Sequence, residues 1–293
     1  MTHPELGVII VSWNVRALLR GCLSSLLREA PIDTTVILVD SASTDGTPDM
    51  VRADFPVVQL IACAENVGYV RGNNLGLRAL GLTDEPPAES ESLSLPANRQ
   101  SPRFVWLLNP DTEVLPGAVS TLLEFMRAHP RCGLCGPRLI NADGSLQHGA
   151  FRFPGLTQLL LETQPALWRF RGSTLDGRYA ARQYEAGHPF PIGHPLGAAM
   201  LARAEAIAQV GPLDPGFEMY SEEVDWAMRM KRAGWERWCV PAAVVKHYGG
   251  ASSSQVSERA ERIKWRSRLR YYQKHYSPLQ RWLAKRLVPR AYA

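Results

Sequence analysis

The chain lacks any apolar stretch long enough to cross a bilayer. Its longest runs, such as Gly7 to Val11 and Val36 to Val39, are strand-sized, far below the roughly 18 to 20 residues a transmembrane helix requires. It also lacks a basic region followed by an apolar stretch after Met1-Thr2-His3-Pro4-Glu5, so no secretory signal is read and a cytoplasmic protein is expected. Cysteine is scarce, five in 293 residues, as fits a reducing compartment. Cys132-Gly-Leu-Cys135 has the spacing of half a zinc site, but no second ligand pair follows at zinc-site distance, so buried thiols are expected. No internal repeat is present, which excludes a solenoid. Nor is positive charge general. Of the net +5, residues 258–293 hold 11 Lys/Arg against Glu258 and Glu261, leaving 22 basic and 26 acidic residues elsewhere. That imbalance argues for a contact surface at the C-terminus and against nucleic-acid binding over the whole molecule.

What is present is an ordinary globular composition, 45% hydrophobic, enough for one large core or two small ones. Strand-like and helix-like segments alternate through the first 115 residues: strands at 7–13, 35–39, 57–63 and 104–108, and helices at 16–28, 48–54 and 69–80. Such alternation predicts a mostly parallel, Rossmann-like α/β sheet flanked by helices. Residues 82–103 are rich in Pro, Ser and Glu without periodicity, and are expected as a flexible insertion. Further on, a helix at 116–129, a strand at 133–140 and a hairpin-type turn at Asn141-Ala-Asp-Gly144 are read. Residues 151–192 mix aromatic and basic side chains with little periodicity and suit a substrate-contacting segment. A strand and helix resume over 196–210, and a helix over 221–233 ends at Gly234. One domain over 1–257 and a basic, partly amphipathic helical extension over 258–293 are therefore expected. That extension either lies on an anionic membrane surface or covers the domain's own core.

A doubly wound sheet binds ligands at the carboxyl ends of its strands, and polar residues interrupt the apolar strands there three times. Asp40 follows Val36-Ile-Leu-Val39, where it can accept hydrogen bonds from a nucleobase or ribose, or serve as a turn carboxylate. Asn66-Val-Gly68 follows the third strand. Asn109-Pro-Asp111 follows Val105-Trp-Leu-Leu108, and Asp111, with Thr112 and Glu113 beside it, is either a hard-cation ligand or part of a turn tripeptide. Later, Glu222-Glu-Val-Asp225 concentrates carboxylates in what reads as a first helical turn. Helical spacing puts Glu222 and Asp225 on one face and Glu223 about 100° away. The cluster is a source of a general base, or simply an acidic turn favoured by the helix dipole.

Taken in order, Ile9-Val-Ser-Trp-Asn14, Val39-Asp-Ser-Ala-Ser-Thr-Asp-Gly-Thr47, Asn66-Val-Gly-Tyr-Val-Arg-Gly-Asn-Asn74, Leu107-Leu-Asn-Pro-Asp-Thr-Glu-Val114, Glu222-Glu-Val-Asp225 and Lys231-Arg-Ala-Gly-Trp235 resemble the family 2 glycosyltransferases of the GT-A fold. Within that family the series is most similar to a rhamnosyltransferase-like branch. The resemblance spans about residues 7–277 apart from the insertion. It implies an inverting transfer of a sugar, with rhamnose foremost, from a nucleoside diphosphate (dTDP or UDP) to a glycan or lipid-linked acceptor in cell-surface polysaccharide synthesis. A divalent cation, Mg or Mn, is implied as cofactor.

Carried over by residue, the resemblance assigns the nucleoside to Asp40 and the metal to Asp111, with Asn109 in the first position of the family's DxD-type motif. His247, in Val244-Val-Lys-His-Tyr-Gly-Gly250, matches a late histidine that completes the metal shell in some members; a lone histidine there is otherwise structural. Glu223 falls on the family's base position, one methylene longer than the usual Asp. Glu222 is held in reserve, and Asp225 is given a structural or acceptor-positioning role. The donor site implied is lined by Ser12, Asn14, Asn66, Gly68, Arg71 and Asn73, with Gly72 as a second glycine permitting close backbone approach. Gly197 and Ala198, in His194-Pro-Leu-Gly-Ala198, leave room for sugar and acceptor. A sugar nucleotidyltransferase would use the same fold and metal, but would carry a Gly-rich basic loop where Ser12-Trp-Asn14 stands. A non-catalytic nucleotide-sugar binding module is the remaining alternative.

Overall fold

The computed structural model describes residues 4–83, 101–170, 172–249 and 257–288. Residues 84–100, most of the expected insertion at 82–103, lie outside the described residues. The first half runs β1 (Leu6–Ser12), α1 (Arg16–Glu29), β2 (Thr35–Asp40), α2 (Thr47–Asp54), β3 (Gln59–Ala62), α3 (Gly68–Ala79) and β4 (Phe104–Leu108). β1 pairs in parallel with β2 and with β4, and β2 with β3. Parallel pairing collects the carboxyl ends of these strands on one edge, where Ser12, Asp40 and Asn109 emerge.

Because helices cover both faces, these strands are apolar on both. Val8 and Ile10 pack with Leu19, Cys22, Leu23 and Leu26 of α1. Ile9, between them, points to the other face and packs with Val70, Leu75 and Leu77 of α3. A Cβ on Gly72 would lie 2.7 Å from Val11 Cγ1, and one on Gly76 2.4 Å from Ile9 Cγ2. Gly72 therefore seats α3 on β1, and the close approach it permits here is that of Val11.

The second half runs β5 (Thr112–Val114), α4 (Ala118–Ala128), β6 (Cys132–Ile140), β7 (Leu146–Gln147), β8 (Ala150–Phe151), α5 (Leu156–Thr163), α6 (Ala181–Glu185), β9 (Phe190–Pro191), β10 (His194–Pro195), β11 (Ala199–Arg203), α7 (Ala204–Val210), α8 (Glu222–Arg232), β12 (Glu236–His247), α9 (Ser257–His275) and α10 (Pro278–Leu287). β11 enters antiparallel between β4 and β6. β12 then runs parallel to β6 and antiparallel to β5, so the sheet is mixed. The short strand β5 has a large effect: its register places His247 opposite Thr112, one residue from Asp111. The thiols of Cys22, Cys132, Cys135 and Cys239 are free and buried, and burial pushes Cys22 up to about 12.

α9 covers the domain's own core. Tyr271 is fully buried in one cluster with Phe217, Trp226 and Met230, while Trp265 and Tyr272 pack with Leu159, Ala284 and Val288. Polar contacts fix the helix further. Asp225, fully buried on α8, accepts hydrogen bonds from Arg229 Nε at 2.8 Å and His275 Nε2 at 2.6 Å, and lies 2.8 Å from Lys274 Nζ. Burial alone would raise its pKa, but the His275 and Lys274 hydrogen bonds and the Arg229 charge hold it well below the usual carboxylate range. Its stabilising effect is thus present at neutral pH and lost only in strong acid. Removing one partner of such a buried set strands the others, so Asp225→Ala is expected to cost about 3–5 kcal/mol in denaturant unfolding. No helix among the described residues is long and apolar enough to cross a membrane.

Candidate active site

Buried polar atoms without hydrogen-bond partners mark the carboxyl edge of the sheet. Leaving one unpaired costs about 1–3 kcal/mol, so several together at one place point to a ligand. Ser12 Oγ, Asp40 Oδ1 and Asn109 Oδ1 are such atoms. Ser12 and Asp40 lie opposite each other in the β1–β2 register. Asp40 uses only its other oxygen, Oδ2, which accepts from the Ser43 N–H at 3.0 Å.

Other residues expected to touch the donor are engaged within the protein and shape its loops. Asn14 Oδ1 accepts from the Thr44 N–H at 2.8 Å, and the Asn14 N–H donates to Ser43 Oγ at 2.9 Å. Asn66 Oδ1 accepts from Ser41 Oγ at 2.9 Å and from the Gly68 N–H at 3.0 Å. Asn73 is buried and donates to Tyr69 O within α3, and Arg71 lies exposed on that helix. Non-glycine residues with positive φ, costly by about 1–3 kcal/mol each, flank this edge: Asn14 and Ala42 beside Ser12 and Asp40, Tyr220 and Ser221 just before the acidic helix.

Asp111 and His247 are both buried, with Asp111 Oδ1 3.4 Å from His247 Nε2. His247 Nδ1 lies 2.7 Å from Gln147 Oε1. An amide oxygen only accepts, so Nδ1 carries a proton, and it is Nε2, the metal-ligating position of a neutral imidazole, that faces the carboxylate. The gap is too long for a charge-assisted N–H···O bond, normally about 2.7–2.9 Å. A carboxylate oxygen and an imidazole lone pair facing each other suit a divalent cation. Among the described residues no group of three or more His, Cys, Asp and Glu could hold a metal. This pair would therefore hold a cation in company with substrate oxygens and water, as magnesium sites commonly do. Glu113 is engaged on the other side of β5, where Lys246 at 3.1 Å and Tyr248 at 2.9 Å both donate to its Oε2.

Glu222 and Glu223 enter α8 with their Oε2 atoms buried and unpartnered. Burial raises both carboxyls, and for Glu222 the neighbouring Glu223 charge raises it further. The backbone N–H at the start of α8 and then the Arg268 charge on α9 pull Glu223 back down. Helical spacing grouped Glu222 with Asp225; in the structure Asp225 is taken up by Lys274 and His275 of α9, while the Glu223 charge bears on Glu222.

Gly197 and Ala198 link the two ends. The Asn109 N–H donates to Ala198 O at 2.8 Å, and Tyr69 Oη donates to Gly197 O at 2.7 Å. A Cβ on Gly197 would lie 3.5 Å from Tyr69 Oη and 3.9 Å from Glu223 Cβ, so this glycine keeps the space before Glu223 open. Tyr69 was not singled out by sequence. Burial first, then Glu222 and Glu223, hold its phenol protonated, so it serves as a hydrogen-bond donor. Its only sequence signal is its place inside the Asn66 to Asn74 motif. Gln147 was missed as well, and nothing local marks it beyond its position after the hairpin turn.

Residues 7–81 match the family model for glycosyl transferase family 2. Along 254 residues the chain is 29% identical to the N-acetylglucosaminyl-diphospho-decaprenol L-rhamnosyltransferase of Mycobacterium tuberculosis, covering 85% of this chain and 78% of that one. It is 23% identical to the low-salt glycan biosynthesis hexosyltransferase Agl10 of Haloferax volcanii, over 78% of this chain and 62% of that protein. Among solved structures, GalNAc-T7 with UDP, GalNAc and Mn2+ superposes with a TM-score of 0.60 at 14% identity, over 93% of this chain and 48% of that one. The Pyrobaculum calidifontis mannosyltransferase PcManGT with GDP-Man and Mn2+ gives 0.54 at 17% identity, over 94% and 64%. With the family 2 match on β1 to α3 and this fold over nearly its full length, the chain has the GT-A fold and is similar to the family 2 glycosyltransferases.

Proposed function

We propose that the enzyme is an inverting, metal-dependent transferase that moves a sugar, with rhamnose foremost, from a dTDP or UDP donor to a glycan or lipid-linked acceptor hydroxyl. The observation that carries this reading is the pair of buried carboxylates Glu222 and Glu223, each with an unpartnered Oε2, the second of them beside Gly197. The same short stretch leads through Ala198 and Asn109 to Asp111. Ser12 and Asp40 take the nucleoside with their free oxygens, and Asp111 and His247 hold Mg or Mn. When bound, such a cation supplies positive charge against the departing diphosphate. Glu223 accepts the acceptor hydroxyl's proton as that oxygen bonds to the anomeric carbon and the carbon–diphosphate bond breaks on the opposite face. Glu222 stays protonated and keeps a second negative charge away from the acceptor. Rhamnose and a lipid-linked acceptor are supported by the activity named for the mycobacterial relative, and a nucleotide with Mn2+ by the UDP and GDP-Man held with Mn2+ in the two solved structures.

α10 leaves Leu279 and Trp282 exposed beside exposed Arg281, Lys285 and Arg286. That composition suits peripheral contact with an anionic membrane carrying a lipid-linked acceptor. The experiment that tests the donor is a thermal-shift screen of nucleotide sugars with and without Mn2+, because a ligand at a hundred times its Kd adds about 2.7 kcal/mol to the native state. A dTDP- or UDP-sugar is expected to raise the melting temperature only with metal. No shift from any nucleotide sugar would refute the reading.

The pH dependence follows from the base. Glu223 must be ionised, and burial raises its pKa. The acid limb of kcat/KM, which reports the free enzyme's base, should therefore lie above the ordinary carboxylate range, with activity rising as pH rises through it. Arg268 favours the ionised form, so Arg268→Gln should move that limb to higher pH.

A further inference from the structure

We infer that the hairpin between β6 and β7 is a hydrogen-bond relay of fixed polarity that sets the tautomer of His247, making Gln147 and Asn141 positioning residues for the cation. The inference rests on the reading that Asp111 and His247 hold the metal. Its outer anchor is Asp143, whose ionised carboxylate can only accept. Ser145 Oγ donates its single proton to Asp143 Oδ1 at 2.6 Å. The atom of Asn141 lying 2.9 Å from that same Oγ must then be a donor, Nδ2. With the Asn141 amide so oriented, its Oδ1 faces Gln147 and accepts from Nε2 at 2.9 Å. Gln147 Oε1 is thereby turned to His247 Nδ1 at 2.7 Å. The orientation is checked at the far end, where Gln147 Nε2 also donates to the backbone carbonyl of His247 at 3.3 Å.

At each link an amide flip would set two donors or two acceptors against each other, so only one arrangement satisfies the whole series. It leaves His247 with Nδ1 protonated and Nε2 as a lone pair directed at Asp111 Oδ1, 3.4 Å away. The turn is built to hold this geometry. Gly144 takes φ +83, the Ser145 N–H donates to Asp143 Oδ1 at 2.9 Å, and the Asn141 N–H donates to Ser145 O at 2.9 Å. β7 pairs Gln147 with Leu139 of β6, and β6 pairs Leu139 with Val245 of β12. The relay thus joins the cation site to a solvent-facing hairpin through side chains alone.

The test reads the tautomer directly. In metal-free, 15N-labelled protein, two-bond nitrogen–proton correlations of the His247 ring should show the proton on Nδ1, and Gln147→Leu should move it to Nε2 or to a mixture. Mn2+ titrated in the presence of UDP or dTDP and followed by electron paramagnetic resonance gives the second readout. Gln147→Leu is expected to weaken binding by about 10–100-fold, while Gln147→Glu, which keeps an acceptor opposite Nδ1, should preserve it. In a His247→Ala background Gln147→Leu should have no further effect. An unmoved tautomer in Gln147→Leu, or an equal loss of Mn2+ binding in the His247→Ala background, overturns the relay even where Asp111→Ala loses the metal. Mn2+ binding that survives Asp111→Ala would instead overturn the metal reading, and with it the role given to Gln147.

Discussion

Glu223→Gln is expected to lower kcat by about 10²–10⁴-fold, the range that a positioned general base contributes, while donor binding and melting temperature hold. Glutamine matches glutamate in size and keeps the contacts beside Gly197, but it cannot take a proton. The stability half of this expectation follows from the sign of the pKa shift. Glu223 has its folded pKa raised by burial, so its ionisation opposes folding, and the destabilisation appears as pH rises from the unfolded toward the folded value. A neutral isostere should therefore melt no lower than the wild type at neutral pH. Loss of activity without loss of stability separates catalysis from a structural role, as active-site carboxylates commonly trade stability for function. Glu222→Gln is the companion measurement. Its side chain already holds its proton in the proposed scheme, so the amide should retain most of the transfer rate. Full activity in Glu223→Gln with collapse in Glu222→Gln would exchange their roles.

Asp111→Ala is expected to reduce transfer by roughly a thousandfold or more, corresponding to the several kcal/mol that a cation contributes against leaving-group charge. The fold should be unaffected. The carboxylate's nearest described partner is His247 Nε2 at 3.4 Å, and the backbone contact that ties the residue to β12, Tyr248 N–H to Asp111 O at 2.9 Å, does not involve the side chain. The diagnostic comparison is the thermal shift given by nucleotide with Mn2+, which should vanish in the variant. An Asp111→Ala enzyme that transfers sugar at the wild-type rate, still dependent on Mn2+, would place the metal elsewhere.

Much of this site could be read from residue order. Strands covered on both faces must be apolar throughout, so Ser12, Asp40 and Asn109 announce themselves as polar atoms at the ends of apolar runs. In the structure those same side chains carry unpartnered buried oxygens. The acidic run at the start of α8 was visible for the same reason, since four positions with three carboxylates are conspicuous in any helix. What composition and period could not show is which carboxylate remains free. Asp225 is claimed by Lys274 and His275 from α9, and that approach depends on how a distant helix packs. His247 is the clearest case of register deciding which residues meet. Only the pairing of β12 with the three-residue strand β5 sets it opposite Thr112, and strands that short carry no periodicity to detect. Asn14, Asn66 and Gly72 went the other way. Their positions within recognisable motifs were legible, yet Asn14 and Asn66 tie loops together and Gly72 lets α3 approach β1, roles that emerge only when hydrogen bonds and packing distances are known.

Direct displacement assisted by Glu223 has one unavoidable stereochemical consequence, and its measurement bears most directly on the mechanism. The wild-type enzyme would be given Mn2+, the nucleotide sugar that raises its melting temperature with metal, and a lipid-linked or glycan acceptor. The anomeric configuration of the first product would then be read from its one-bond carbon–proton coupling. A product of configuration opposite to the donor is the expected result. A product that retains the donor configuration would contradict a single displacement with Glu223 as its base.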